Sequence, residues 1–204
     1  WGSRAREVLA EAHRLGHRPD ALARVLEATL TQDAPEPGFE AALHTELAYL
    51  YVDALEMPWD GWPHARAAYR QDPAARHGLE RRNLAVRAAE AADQRADLPV
   101  FLLKVATSLV SDAAAVERLV SDVEVLRDQG FDEEALVPFW ERVLSLDPSH
   151  VVALDTLEAR ARDDNEVGRL LQILEMRIEG TPDRAASQEM CREVATLLSD
   201  MPDR

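Results

Sequence analysis

Cysteine and lysine each occur once in this 204-residue chain, glycine eight times, and aromatic side chains make up only 5% of it. A single cysteine, Cys191, forms no intrachain disulfide, which excludes a small disulfide-framed fold. Its place on the apolar face of the last helical stretch predicts a buried, structural thiol. The few glycines build no Gly-rich phosphate loop. The strict alternation of Val, Ile, Thr and Tyr that marks strands is missing. No apolar run approaches the roughly 18 residues that span a bilayer, so no membrane insertion is expected, and no secretory leader is recognisable. The compartment stays open, with the cytoplasm favoured. Because the chain opens at Trp1 rather than at a methionine, it reads as an excised piece of a longer repeat protein.

Positive charge is also scarce: 23 basic side chains face 38 acidic ones, for a net charge of −15. Such a field repels polyanions, which argues against nucleic acid or acidic lipid as the partner and fits a neutral or basic protein better. Lys104 being the only lysine, the cations are almost all arginine, a bias typical of a GC-rich bacterial genome.

What is abundant is Ala, Leu, Arg and Glu, the residues that lose least on entering a helix, in a chain 47% apolar. Apolar residues recur at three and four from Ser3 to Leu15 and again after Pro19-Asp20. Asp33 to Gly38 is a loop by its turn chemistry, and a third helix runs from Phe39 to Leu55. Two prolines and a glycine between Met57 and Pro63 predict a break, with two tryptophans beside it as staples. Helices are then expected over His64–Arg70, Ala74–Ala92, Leu98–Val110, Ala113–Arg127 with Gly130 as stop, a stretch opened by Asp132-Glu133-Glu134 and ending at Leu146, Val151–Arg162, Glu166–Ile178 and Arg184–Ser199. That is an all-α chain of about eleven helices joined by short turns, forming one domain over residues 1–204.

The chain also repeats itself. Glu193-Val194-Ala195-Thr196-Leu197-Leu198-Ser199-Asp200 returns, with one residue inserted, at Lys104–Asp112, and its apolar pattern returns at Glu46–Asp53. Leu22, Leu26-Glu27 and Leu30 fall on Leu170, Leu174-Glu175 and Ile178 at one shift (170 − 22 = 148), as Leu9 falls on Leu157, and Leu47-Ala48 fall on Val194-Ala195 at 194 − 47 = 147. Asp72-Pro73 and Leu79 fall on Asp147-Pro148 and Leu154 at 147 − 72 = 75. Recurrence of this kind marks helical hairpins that must stack to complete a core, and Ala48, Ala106 and Ala195 fit the points of closest helix approach.

On these residues the chain resembles the tetratricopeptide repeat family, in a degenerate bacterial form. Leu146-Asp147-Pro148 after Trp140-Glu141-Arg142-Val143-Leu144, and Ala65–Pro73, look like the ends of its 34-residue unit; Leu47-Ala48-x-x-Tyr51 looks like the leucine, small residue and tyrosine of its first helix. No unit carries every signature position, and the 75-residue spacing is not twice 34, so half-a-tetratricopeptide and HEAT-type repeats stay open. The resemblance implies a right-handed superhelical array, or solenoid, of antiparallel hairpins, without catalytic activity or cofactor. It further implies a concave face lined by the second, fifth, ninth and twelfth positions of each first helix. With Leu47, Leu157 and Val194 at the seventh position, these include Thr45, Tyr49, Val52, Asp155, Ala159, Arg162, Arg192, Thr196 and Ser199. Thr107 lies between apolar positions of the middle copy. A protein or peptide would bind that face, or flanking repeats and self-association would use the open ends.

Arg76, Arg81, Arg82 and Arg87 form a local basic cluster suited to an acidic peptide or a carboxylate terminus. His13 and His17, four apart on the first helix, are the one visible handle for a metal and carry the alternative of a sensory or regulatory module that binds a small ligand or metal ion. His44, His64, His77 and His150 are scattered, and no nucleophile motif stands beside them, so no enzyme is expected.

Overall fold

The computed structural model describes residues 18–32, 37–71, 73, 77–109 and 111–200. Among them the chain is helical with no strand: α1 (Pro19–Gln32), α2 (Pro37–Tyr49), a π-helical segment (Leu50–Ala54), α3 (Pro58–Gln71), α4 (Gly78–Ala91), a 3-10 turn (Arg95–Asp97), α5 (Leu98–Ala106), α6 (Asp112–Asp128), α7 (Glu133–Leu146), α8 (Val151–Asp163), α9 (Val167–Gly180) and α10 (Arg184–Asp200). The expected first helix, with His13 and His17, lies outside the described residues. The contacts gather into two compact units, Trp1–Val105 and Ala106–Arg204.

From α1 to α4 and from α6 to α10 each helix packs on the next one, and in the first unit α2 also touches α4. The first core has two parts. Ala23, Leu26, Leu43 and Leu47 form one, with Leu22, Leu30, Phe39 and Tyr51 packed around them. The other is aromatic: Phe101 of α5 meets Trp62 edge-on at 5.6 Å and Tyr69 at 6.0 Å. In the second unit Leu119, Val123 and Leu126 of α6, Leu136, Phe139, Trp140 and Val143 of α7, and Leu157, Leu170, Ile173 and Leu174 behind them are buried.

Helix ends follow local chemistry. Asp132 caps α7, its carboxylate accepting from the Ala135 amide at 3.0 Å, as the acidic turn predicts. Gly130 closes α6 with φ 72°, and the Phe131 amide donates back to the Leu126 carbonyl at 3.0 Å. Asp93 and Asn165 do the same after α4 and α8, each with φ 54°. Asp and Asn tolerate that left-handed turn better than other non-glycine residues.

The repeat shifts recur in the element bounds: α1 and α9 start 167 − 19 = 148 and end 180 − 32 = 148 residues apart, and α3 and α7 start 133 − 58 = 75 and end 146 − 71 = 75 apart. Each of α3 and α7 carries a proline inside the helix, Pro63 and Pro138, also 75 apart. The segment read as a break at Met57–Pro63 is therefore mostly helix. Pro58 serves as the first helical residue, where a missing N–H is no loss, and Pro63 is tolerated on the solvent side. Of its two tryptophans Trp62 is buried, whereas Trp59 is 62% exposed and staples nothing.

The shift of 75 does not continue through the next turn. Between α3 and α4 lie residues 72–77, against 147–150 between α7 and α8, so α4 and α8 align at the spacing of their left-handed ends, 165 − 93 = 72. At 72 every buried position of α8, Ala153, Leu154, Leu157, Glu158 and Ala161, falls on a buried position of α4: Arg81, Arg82, Ala85, Val86 and Ala89. The pairing of Leu79 with Leu154 is thereby corrected; Leu79 is 53% exposed and Leu154 buried. The middle copy also ends early, since α5 stops at Ala106 and leaves Thr107 beyond the helix. Cys191 is a second correction. It is exposed, because α10 turns that side to solvent.

Candidate functional site

Two neighbouring clusters in the first unit bring polar and aromatic side chains together. The first lies between α2 and α4. Tyr49, at the end of α2, lines a shallow open cavity of about 420 Å³ with Glu80, Asn83, Leu84 and Arg87 of α4. Its hydroxyl donates to Glu80 Oε1 at 3.3 Å, and the Arg87 guanidinium lies over its ring, 5.5 Å from the centroid. Arg87 also donates to Asp53 of the π-helical segment at 2.9 Å, and His77 Nδ1 stands 3.1 Å from Glu80. Partial burial and then the Glu80 carboxylate hold the Tyr49 phenol above its ordinary range. Both members of the Arg87–Asp53 pair are about half exposed, so it orients the guanidinium more than it stabilises the fold.

Behind it, between α2 and α3, stands a cluster that periodicity does not reveal. His44 and His64 face each other Nδ1 to Nδ1 at 2.8 Å. Tyr51 stacks on His64 with centroids 5.7 Å apart and donates its hydroxyl to Glu27 of α1. Burial first, then the bond to Glu27, push the Tyr51 phenol up to about 12. Gly61 makes this approach possible: a Cβ there would stand 2.6 Å from Val52 Cγ2.

The predicted site residues are placed unevenly. Thr45 bonds back to the Ala41 carbonyl at 2.7 Å, and Val52 packs toward Gly61 of α3. Arg76 lies outside the described residues. Arg82 is only 7% exposed, at a core-facing position of α4, and so is not at hand for a partner; Arg81 is buried beside it at 8%, leaving Arg87 as the exposed guanidinium of the described part of the cluster. Thr107 is exposed past the end of α5.

In the second unit, Asp155 accepts from Arg177, and Arg162 bonds Glu158 and, at 2.8 Å, Glu193 of α10. Those bonds, the one to Glu193 first, hold the Arg162 guanidinium above its usual range. Arg192 and Thr196 are exposed on α10, with the Thr196 hydroxyl tied to the Arg192 carbonyl at 2.9 Å. The structure thus joins Tyr49 to Arg87 and links Arg162 across to α10, and it separates Arg82 from the exposed surface.

The Tyr49–Arg87 pairing is half visible in the sequence, Tyr49 as a repeat position beside Leu47 and Arg87 as a member of the basic cluster. The histidine pair has no signal in the sequence, because its members stand 20 positions apart on two helices joined through the π-helical segment. Among the described residues no group of three or more His, Cys, Asp or Glu is arranged to hold a metal ion, and no helix is long and apolar enough to cross a membrane. What the clusters offer is a rigid aromatic face, a planar cation and fixed carboxylates, a set suited to recognition through stacking and forked hydrogen bonds. Comparison with protein-family models, with characterised proteins and with solved structures gives no match to this chain.

Proposed function

We propose that this chain is a non-catalytic protein-interaction module of tetratricopeptide-like type that binds a protein or peptide segment on the face shared by α2 and α4. The convergence of repeat positions in the cavity carries this reading. With Leu47 as the seventh position of α2, Tyr49 is the ninth. Shifting Leu157 of α8 back by 72 makes Ala85 the seventh position of α4 (157 − 72 = 85), and its second, fifth and ninth become Glu80, Asn83 and Arg87. These four residues, with Leu84, line the cavity. In an array of hairpins with α2 and α4 as first helices, they lie on the concave side of the first unit; within the second unit, with α8 and α10 as first helices, Asp155, Arg162, Arg192 and Thr196 hold corresponding positions. A partner segment without net negative charge suits the chain's −15.

The outer side of α10 favours a second contact. Leu47 and Ala48 of α2 are fully buried, whereas in α10 Ala195 is exposed and Leu198 is 55% exposed. A flanking repeat, or another copy of the chain, would cover α10 as α3 covers α2.

The concave-face reading is tested by placing a photo-crosslinking amino acid at position 49, and in a control at exposed Glu124 of α6, in cells of the source organism. The reading expects one discrete protein adduct at position 49, displaced by Arg87→Glu and absent from the control. The same adducts at both positions, unaffected by Arg87→Glu, would refute it.

A further inference from the structure

His44 of α2 and His64 of α3 meet Nδ1 to Nδ1 at 2.8 Å, their ring centroids 5.1 Å apart. A contact that short holds only when one ring carries hydrogen on Nδ1 and the other presents its lone pair. One added proton, on the far nitrogen of the donor ring, leaves the bond in place and makes it charge-assisted. A second added proton puts hydrogen on both facing nitrogens and sets two imidazolium rings against each other. The contact therefore survives one protonation and not two.

Charged neighbours from every packed element act on this pair. On α2, Glu40 Oε1 lies 3.9 Å from His44 Nε2. On α3, Arg70 opposes charge on His44 and Asp60 favours it on His64; on α1, Glu27 favours it on His64. The π-helical segment contributes the Tyr51 ring, stacked on His64 at an interplanar angle of 8°. Burial outweighs the acids and holds both imidazoles below the ordinary 6.5, and the charge of His44 lowers His64 further.

The same segment joins the pair to the groove within three consecutive residues. Tyr51 stacks on His64, Val52 is wedged against Gly61 of α3, and Asp53 holds Arg87 at 2.9 Å. It is also irregular: the Leu55 amide donates to the Leu50 carbonyl at 2.9 Å, five residues back, and Glu56 turns the chain with φ 55°. Such π turns mark functional sites in helices more often than ordinary turns do. We propose that the His44–His64 pair is an acid-sensitive latch between α2 and α3, whose opening on the second protonation shifts the π-helical segment and releases Arg87 from Asp53. The latch stands on the geometry of the pair; its consequence for binding rests on the groove reading above.

Imidazole nitrogen NMR of the full chain, followed from neutral to acidic pH, tests it. The pair is expected to titrate in two steps separated by about tenfold or more in proton affinity, as coupled sites do. The Tyr51 and Asp53 amides and the Arg87 side-chain signal move with the second step and not with the first. His64→Phe keeps a ring against Tyr51, leaves His44 one step, and uncouples the Arg87 signal from acid; His44→Gln gives the mirror result should the first variant fold poorly. Two rings that titrate within about threefold of each other would overturn the latch, as would a second step that leaves Asp53 and Arg87 unmoved. Loss of the position-49 adduct with these titrations intact would instead remove the groove reading alone.

Discussion

Gly61→Ala is the most informative small change in the first unit. The added methyl carbon would stand 2.6 Å from Val52 Cγ2, 3.3 Å from Tyr51 Cβ and 3.4 Å from the Ala48 carbonyl oxygen. Two of these neighbours are backbone or Cβ atoms, and Val52 is β-branched and stiff at χ1, so none yields cheaply. Overpacking of this kind costs about 1–3 kcal/mol. Alanine returns at most about 1 kcal/mol of helix propensity, and less here because Gly61 is in the first turn of α3. The net expectation is a loss of about 1–2 kcal/mol.

Urea denaturation followed by far-UV circular dichroism measures that loss as a lower midpoint at constant slope. Val52→Ala removes the atom that clashes most, so the double variant should recover much of the deficit, with a coupling energy of about 1 kcal/mol or more. A Gly61→Ala protein as stable as the parent, or purely additive behaviour in the double variant, would refute the close approach of α3 to the π-helical segment.

Other outcomes follow from single elements. Asp132→Ala removes the cap on the Ala135 amide and should cost about 1 kcal/mol in the same assay, while Asp132→Asn should cost less. Exposed Cys191 should react with a maleimide under native conditions as fast as in urea, whereas protection in the folded state would restore the buried thiol expected from its sequence position. Acid should weaken the first unit through its histidine pair. The folded rings sit below the ordinary 6.5, so below that pH the unfolded chain binds more protons. The contribution is full above 6.5 and is lost as pH falls through the folded values, and His64→Phe should flatten the pH dependence of the urea midpoint.

How much of this was legible in the sequence differs by element. The ends of α1 and α9 keep the 148-residue shift because both helices have narrow leucine stripes, which leave one possible register. Gly130 and Asp132 announce their own geometry, since each residue type does one thing well at a helix boundary. α4 was harder. Alanine sits on several of its faces, so periodicity fixed neither its start nor its register. The constant shift of 75 carried through the longer turn before it puts Leu79 inward on Leu154, whereas Leu79 is exposed, and the reading of Arg82 as part of a basic surface cluster meets a side chain that is buried.

Tyr49 is legible because it stands two residues from a well-registered Leu47, whereas its neighbours Glu80 and Asn83 are not, because the sequence leaves the register of α4 open. The helix over Pro58–Pro63 is hidden in the sequence because proline weighs against helix locally, although Pro58 heads α3 and Pro63 faces solvent. A contact such as His44–His64 depends on how two helices cross, which no single-helix pattern encodes.

The binding claim is tested most directly by the affinity of the protein captured at position 49 for the wild type and for Arg87→Glu, measured by calorimetry at fixed salt. Reversing the one exposed guanidinium described in the groove should weaken binding on the order of tenfold or more, with the urea midpoint nearly unchanged because the Arg87–Asp53 pair is solvent-exposed. Equal affinities at equal stability would contradict the assignment of the α2–α4 face as the partner site.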